Sequence, residues 1–180
     1  FTTKDGLPSD RVTGILEDSK GIFWLHTGEG VSSYDGKNFT NFLVGDDFGS
    51  NVITQLLIDS KNVFWVGTWN GVYKFDGQAF HQFSVPYPEV DTRINEDTKY
   101  WITGISEDGE GNIWFLRDGY GVCKFDGNSF THLLKKDGLH SNHVTEIELD
   151  NDGSVWIGTR VAERDDPDPE KRFGKGGVNR

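Results

Sequence analysis

The stretch Asp18-Ser-Lys-Gly-Ile-Phe-Trp24, followed by Gly30-Val31 and Tyr34-Asp35-Gly36, decides how this chain folds, because it is repeated. The same order of residues recurs around three later tryptophans: Trp65, Trp114 and Trp156. Successive tryptophans lie 41, 49 and 42 residues apart. A period near forty residues with short strands and Gly-rich turns is typical of radially repeated β-sheets. The sequence therefore predicts an all-β fold, a β-propeller of about four blades with four antiparallel strands in each.

Each repeat divides into four short strands, A to D, which are rich in β-branched and aromatic residues. The predicted blades of this single propeller segment span approximately residues 5–44, 45–85, 98–136 and 137–180. Residues 1–4 align with the end of the third blade, so we expect them to belong to a preceding or closing strand. Propellers contain about four to eight blades, so four is the lower limit. The chain is expected to form part of a larger ring, and the alternative is a small closed ring in which residues 1–4 complete the last sheet.

The four recurring tryptophans are predicted to be structural. A four-stranded sheet cannot bury both faces by itself, so large aromatic residues at one fixed position are expected to fill the space between blades. A binding residue need not recur in every repeat. Cys123 lies within the apolar segment Gly121–Phe125, where we expect a buried structural thiol.

Composition argues against two classes of partner. The formal net charge is −11 and the pI is about 4.8, whereas nucleic-acid binding needs a basic surface. The sequence contains no apolar run approaching the roughly 18 residues that a membrane helix requires. We therefore predict no nucleic-acid partner and no membrane segment in this chain.

Departures from the repeat concentrate on one side of the predicted blades. In an antiparallel blade the B–C and D–A connections emerge at the same end, and both long insertions, at 84–100 and 160–176, fall on them. Insertions in repeat proteins concentrate on the binding face. The candidate ligand-binding residues on these connections are Arg11, His26, Glu29, Trp69, Asn70, Arg117, Asp118, Tyr120, His143 and Arg160.

Trp69 suggests the kind of ligand. An exposed tryptophan beside Asn70, with polar groups from the next blade, could stack on a sugar ring and hydrogen-bond its hydroxyl groups. The alternative is that Trp69 packs on the neighbouring loop.

No catalytic residue, cofactor or metal is predicted from the motifs. His140-x-x-His143 lies in a loop with no third ligand in view, so ordinary loop variation is favoured over zinc. Asp150-Asn-Asp-Gly153 resembles the start of a calcium loop, but position twelve is Val161 rather than the required glutamate.

A resemblance to a known family extends over nearly the whole chain, and three segments illustrate it. Asp5–Thr13, Glu17–Trp24 and Tyr34–Thr40 resemble two-component regulator propeller repeats, because several motifs recur in a fixed order. The Gly-Thr that usually follows strand B is present in two repeats. It is replaced by His26-Thr27 in the first repeat and by Leu116-Arg117 in the third.

The resemblance implies a sensor in signal transduction. Such repeats form the extracytoplasmic sensor region of membrane-bound histidine kinases and often detect carbohydrate-derived ligands, with a neighbouring propeller or a β-sandwich domain as partner. Similar propellers include streptogramin lyases, for which His140, His143 and Glu146 would be the candidate acid–base groups, with a divalent metal. A third possibility is a scaffold for protein interaction.

Overall fold

The structure is a computed structural model that describes residues 1–45, 48, 52–90, 98–150, 152–160 and 176–180. In these ranges the strands are β1 (Val12–Glu17), β2 (Phe23–Thr27), β3 (Gly30–Tyr34), β4 (Phe39–Leu43), β5 (Ile53–Ile58), β6 (Phe64–Thr68), β7 (Gly71–Phe75), β8 (Phe80–Phe83), β9 (Ile102–Glu107), β10 (Ile113–Arg117), β11 (Gly121–Phe125), β12 (Phe130–Leu133), β13 (Val144–Leu149), β14 (Val155–Thr159) and β15 (Gly177–Asn179).

These strands form antiparallel sheets in simple chain order, which confirms the all-β prediction. Three sheets have four strands each, β1–β4, β5–β8 and β9–β12, and β13–β15 form a three-stranded sheet. The chain divides into two compact units, residues 1–84 and 85–180. In the described parts of the chain, no helix is long and apolar enough to cross a bilayer.

The recurring aspartate builds the turn between the first two strands of every sheet. In the first repeat, Asp18 Oδ1 accepts hydrogen bonds from the backbone of Lys20 at 2.9 Å and of Ile22 at 3.0 Å. Its other oxygen accepts from the indole of Trp24 at 3.2 Å. The equivalent bonds from Trp65 to Asp59, Trp114 to Asp108 and Trp156 to Asp150 measure 2.8, 2.8 and 2.7 Å. The repeated Asp and Trp therefore form one hydrogen-bonded unit.

The first unit has its core between the sheets β1–β4 and β5–β8. Trp24 packs against Phe64 and Phe75 of the second sheet, with ring centroids 4.5 and 5.0 Å away. Phe42 and Phe80 belong to the same buried cluster. Trp24 therefore fills the space between two blades, as predicted.

The second unit has the same arrangement between β9–β12 and β13–β15. Trp114 and Leu116 are buried with Val144, Ile147 and Ile157. Trp156 is 37 % exposed, with the Arg180 guanidinium 5.4 Å from its ring centroid. Cys123 is buried, and burial raises the pKa of its thiol to about 11, in agreement with a structural thiol.

The segments that precede β1 and β13 are short 3₁₀ turns. Of residues 1–4, expected to belong to a preceding or closing strand, Thr3 and Lys4 lie in the turn Thr3–Asp5, which is stabilised by bonds between Thr2 and the Asp5 carboxylate. The aligned segment forms the turn Lys135–Asp137. In each case a glycine in the left-handed region, Gly6 or Gly138, ends the turn.

Candidate functional site

The B–C and D–A connections of the second unit bring together one long segment and five of the predicted residues, the fifth being Arg160, which follows β14. Arg117 ends β10, Asp118 and Tyr120 follow it, and His143 precedes β13. Residues 85–90 and 98–101 lead into β9 at this same end of the sheet. The remaining parts of the two insertions, residues 91–97 and 161–175, lie outside the described residues.

Arg117 is a buried residue that binds the D–A segment at this end of the unit. Its side chain is only 3 % exposed, and it donates hydrogen bonds to the carbonyls of Val85 at 2.8 Å and Pro86 at 3.0 Å. Its guanidinium lies 4.2 Å from the ring centroid of Tyr87. Burial lowers the pKa of Arg117, but arginine remains charged in proteins. Arg117 therefore fixes the position of the D–A segment rather than presenting a free surface.

Tyr87, which lies over Arg117, packs against two other tyrosines. Tyr87 lies between Tyr100 and Tyr120, with ring centroids 5.7 and 5.9 Å away. Tyr120 is 9 % exposed, whereas Tyr87 and Tyr100 are each 42 % exposed. The Lys99 ammonium lies 5.1 Å from the centroid of Tyr100. Tyr87 and Tyr100 thus form an exposed aromatic surface, which we call the tyrosine shelf.

A charged cluster lies on the same connections. His143 Nδ1 donates to Asp118 Oδ1 at 2.7 Å, and Arg160 donates to Asp118 Oδ2. Burial alone would raise the pKa of Asp118, but the hydrogen bond and charge of His143, together with Arg160, hold it below its ordinary value. Asp118 is therefore ionised near neutral pH. It follows β10 and links His143, which precedes β13, to Arg160, which follows β14.

The predicted residues of the first unit also lie at one end of their sheets, but they are less closely joined. The backbone of Gly28 donates a hydrogen bond to the carbonyl of Arg11 at 3.3 Å. The side chains of Arg11 and of Glu29, which follows Gly28, are exposed. His26 is partly buried, with Nδ1 3.1 Å from Thr13 Oγ1, and burial lowers its pKa.

Trp69 and Asn70 follow β6 at this end of the first unit. Trp69 is 42 % exposed, and its backbone donates to the carbonyl of Val52 at 3.1 Å. The Asn70 side chain donates to the Tyr73 hydroxyl at 3.3 Å. Trp69 is thus accessible, while Asn70 has a partner within its own sheet.

The two histidines considered for a metal have different partners. His140 Nδ1 lies 2.8 Å from Asn179 Oδ1, whereas His143 is bonded to Asp118. Across the described ranges, no three His, Cys, Asp or Glu side chains are grouped as metal ligands.

Sequence reasoning missed Tyr87, Tyr100 and Lys99. They lie in the D–A segment, which has no counterpart in the other repeats, so no internal alignment identifies them. A signal was present, because two tyrosines stand in this insertion and the equivalent repeat position of Thr68 is occupied by Arg117.

The family model of the two component regulator propeller matches residues 6–29, 47–70 and 138–160. These segments contain the repeats around Trp24, Trp65 and Trp156. In these three segments the chain carries two-component regulator propeller repeats. No curated protein matches it.

Solved structures support the same assignment. The extracellular domain of a hybrid two-component system from B. thetaiotaomicron is 25 % identical, with a TM-score of 0.69 over 88 % of this chain and 22 % of that chain. A second such domain from the same organism is 19 % identical, with a TM-score of 0.67 over 84 % of this chain and 23 % of that chain. This propeller segment is therefore similar to extracellular regions of hybrid two-component systems, and it spans less than a quarter of their length.

A lyase shares the fold. Catalytically inactive virginiamycin B lyase from Staphylococcus aureus, solved with quinupristin, is 19 % identical, with a TM-score of 0.60 over 84 % of this chain and 49 % of that chain. At this identity the likeness concerns the β-propeller fold alone.

Proposed function

We propose that this two-component regulator propeller segment is a ligand-binding, sensing module, and that the second unit binds ligand through its B–C and D–A connections. The observation that carries the proposal is the tyrosine shelf, which stands on the buried Arg117 at the end of the unit that also carries the Asp118 cluster. Binding residues on loops held by a rigid sheet are the usual arrangement in such folds.

The chemistry of this end suits a ring-shaped polyol such as a sugar. Tyr87 and Tyr100 offer aromatic faces of the kind on which the apolar face of a sugar ring stacks. Arg160, about half of whose side chain is exposed, offers N–H donors, and Asp118 offers acceptor oxygens. These groups recognise hydroxyl groups by hydrogen bonding while the aromatic faces contribute contact area.

Nothing in this proposal requires turnover. The groups at this end position a ligand, and the consequence of binding would be transmitted to a neighbouring propeller or a β-sandwich domain. A hybrid two-component system offers such an output, because the similar structures are extracellular domains of systems of that kind.

A glycan array followed by calorimetry tests the proposal. We expect the chain to retain a defined class of saccharide, and we expect Tyr87→Ala to weaken that binding about tenfold, the value of one aromatic stacking contact. Asp118→Asn keeps the shape of the side chain but removes its charge, and should weaken binding as well.

Asn128→Ala serves as the matched control, because Asn128 is exposed on a C–D turn at the opposite end of the same sheet. Its affinity should equal that of the unchanged chain. An array without any bound saccharide, or equal binding by Tyr87→Ala, would contradict the proposed sugar sensor.

A further inference from the structure

Three of the four recurring tryptophans are covered by a cation from the neighbouring strand. The Lys74 ammonium lies 5.0 Å from the Trp65 centroid, and the Lys124 ammonium lies 5.4 Å from the Trp114 centroid. Each lysine pairs in register with its tryptophan, on β7 beside β6 and on β11 beside β10. Arg180 covers Trp156 in the same way at 5.4 Å.

Two of these cations, Lys124 and Arg180, also face the carboxylate that holds the indole. Lys124 Nζ lies 3.7 Å from Asp108 Oδ2, the oxygen that accepts the Trp114 N–H. Arg180 Nη2 lies 4.0 Å from Asp150 Oδ2, which accepts the Trp156 N–H. The repeat therefore carries a set of three groups: an aspartate, a tryptophan and a cation.

The first repeat has the aspartate and the tryptophan, but a serine stands at the register position that the cation takes in the other repeats. Asp18 still accepts the Trp24 N–H at 3.2 Å, while the residue in register with Trp24 on β3 is Ser33. A serine side chain is about three heavy atoms shorter than lysine and carries no charge. The place that a lysine fills in the second and third repeats is thus left open here.

A cavity of about 550 Å³ lies at this place. It opens between the sheets β1–β4 and β5–β8, at the end that carries their A–B and C–D turns. Trp24, Phe64 and Phe75 provide aromatic walls, and Ser33 and Thr40 place hydroxyl groups beside them. The volume lies within the range of about 300–1,000 Å³ found for small-molecule sites.

The polar lining carries two carboxylates and one lysine. Asp18 and Asp76 line the cavity together with Lys20. Asp76 accepts backbone hydrogen bonds from Gln78 and Ala79 and a side-chain bond from His81 at 2.7 Å, which fixes its orientation. The cavity thus combines aromatic walls with fixed negative charge.

We propose that this cavity binds an organic cation, an ammonium or guanidinium group on a short apolar stem, in the place of the missing lysine. The cation would lie over Trp24 and beside Asp18, as Lys124 lies over Trp114 and beside Asp108. Its stem would contact the aromatic walls. Cation–π attraction to tryptophan contributes to such binding and is strongest where the cation is shielded from water.

This site is independent of the proposed sugar site. It belongs to the first unit and lies at the A–B and C–D end of the sheets, whereas the tyrosine shelf belongs to the second unit and lies at the B–C and D–A end. Failure of either proposal therefore leaves the other standing.

Calorimetric titration of the chain with cadaverine and with agmatine tests the proposal, with 1-pentanol as the uncharged probe. We expect both amines to bind, 1-pentanol not to bind, and added salt to weaken the amines. Ser33→Lys restores the lysine of the other repeats, so it should lower amine affinity at least about tenfold by occupying the site. It should also raise Tm, which shows that the variant is folded.

Asn128→Lys adds the same charge on an exposed turn of the second unit and should bind amines as the unchanged chain does. Lys124→Ser should give a second amine site per chain, because it recreates the first repeat around Trp114. Unaltered affinity in Ser33→Lys, equal binding of 1-pentanol, or a single site in Lys124→Ser would overturn the proposal.

A lysine-bearing peptide, acetyl-Gly-Lys-Gly-amide, distinguishes the sources of the cation. Tighter binding of the peptide than of cadaverine, lost in Ser33→Lys, indicates a basic side chain of a protein. Tighter binding of cadaverine indicates a free amine. Binding of neither probe to the unchanged chain overturns the proposal.

Discussion

A single aspartate in each repeat performs two structural tasks. In the third repeat Asp108 accepts backbone bonds from Glu110 at 3.0 Å and Asn112 at 2.9 Å, which close the A–B turn. The same carboxylate accepts the indole N–H of Trp114 at 2.8 Å. Burial opposes its ionisation, but the bonds from Asn112 and Trp114 hold its pKa below the ordinary value. The turn and the core tryptophan therefore depend on one side chain.

Asp108→Ala should lower the free energy of unfolding by about 2–4 kcal/mol, because a buried indole N–H and turn amides lose their acceptor together. Urea unfolding measures the change. Glu89→Ala removes an equal charge from an exposed side chain and should change stability by no more than about 0.5 kcal/mol. A loss below about 1 kcal/mol in Asp108→Ala would show that the turn does not depend on this carboxylate.

At the scale of elements, the third repeat differs from the others at the end of its second strand. Thr27 and Thr68 donate to the carbonyls of Gly30 and Gly71, both at 3.0 Å, and so close their B–C turns. Arg117 takes this position in β10 and instead reaches the carbonyls of Val85 and Pro86. The replacement thus connects a strand of the sheet to the D–A segment that carries the tyrosine shelf.

Arg117→Met should release that segment, because methionine keeps apolar volume but leaves the two carbonyls without their donor. We expect a loss of about 2–3 kcal/mol in unfolding free energy and faster amide exchange over residues 85–90. Lys99→Met, which removes the cation over Tyr100, is the matched control and should leave this exchange nearly unchanged. Unchanged exchange in Arg117→Met would contradict the anchoring role.

The sequence predicted the sheets well because each sheet is stabilised by turn and strand residues that recur in every repeat. Asp18, Trp24 and Gly30 belong to turns and strands whose bonds close within a few residues, so the repeat itself reveals them. The repeat alone could not place the tyrosine shelf, because Tyr87 lies in a segment without a repeat counterpart and contacts Arg117 about thirty positions later. The cavity over Trp24 was predictable in principle, since Ser33 stands where the later repeats have Lys74, Lys124 and Arg180.

At the scale of the whole molecule, the acidity of the chain has two opposing consequences. Because the formal net charge is −11, the excess negative charges repel one another in the folded chain, and protonation of some carboxylates would relieve that repulsion. Yet seven described aspartates have a pKa below the ordinary value of 3.8, because they accept hydrogen bonds in the folded state: Asp18, Asp35, Asp76, Asp108, Asp118, Asp126 and Asp150. Repulsion between exposed charges is largely screened at physiological salt, so the hydrogen-bonded aspartates should dominate.

Whether the free energy of unfolding falls or rises on acidification decides which of these two effects dominates. An aspartate with a lowered pKa stabilises the fold above pH 3.8, and this contribution is lost as the pH falls through the lower folded value. Burial lowers the pKa of His26 and His132 below 6.5, so protonation of these histidines also destabilises the fold. At 0.15 M salt, urea unfolding should therefore show a shallow fall in stability below pH 6.5 and a steeper one below pH 4.

Asp76 and Asp126 test the cause of the steeper fall. Hydrogen bonds from the backbone of Ala79 and Gln78 hold the pKa of Asp76 at about 2, and bonds from Ser129 hold that of Asp126 at about 2. Asp76→Asn and Asp126→Asn should each flatten the decline below pH 4, because asparagine has no proton to gain. Glu89→Gln removes one negative charge from an exposed side chain and should leave the slope nearly unchanged. A rise in stability on acidification would instead show that relief of charge repulsion dominates.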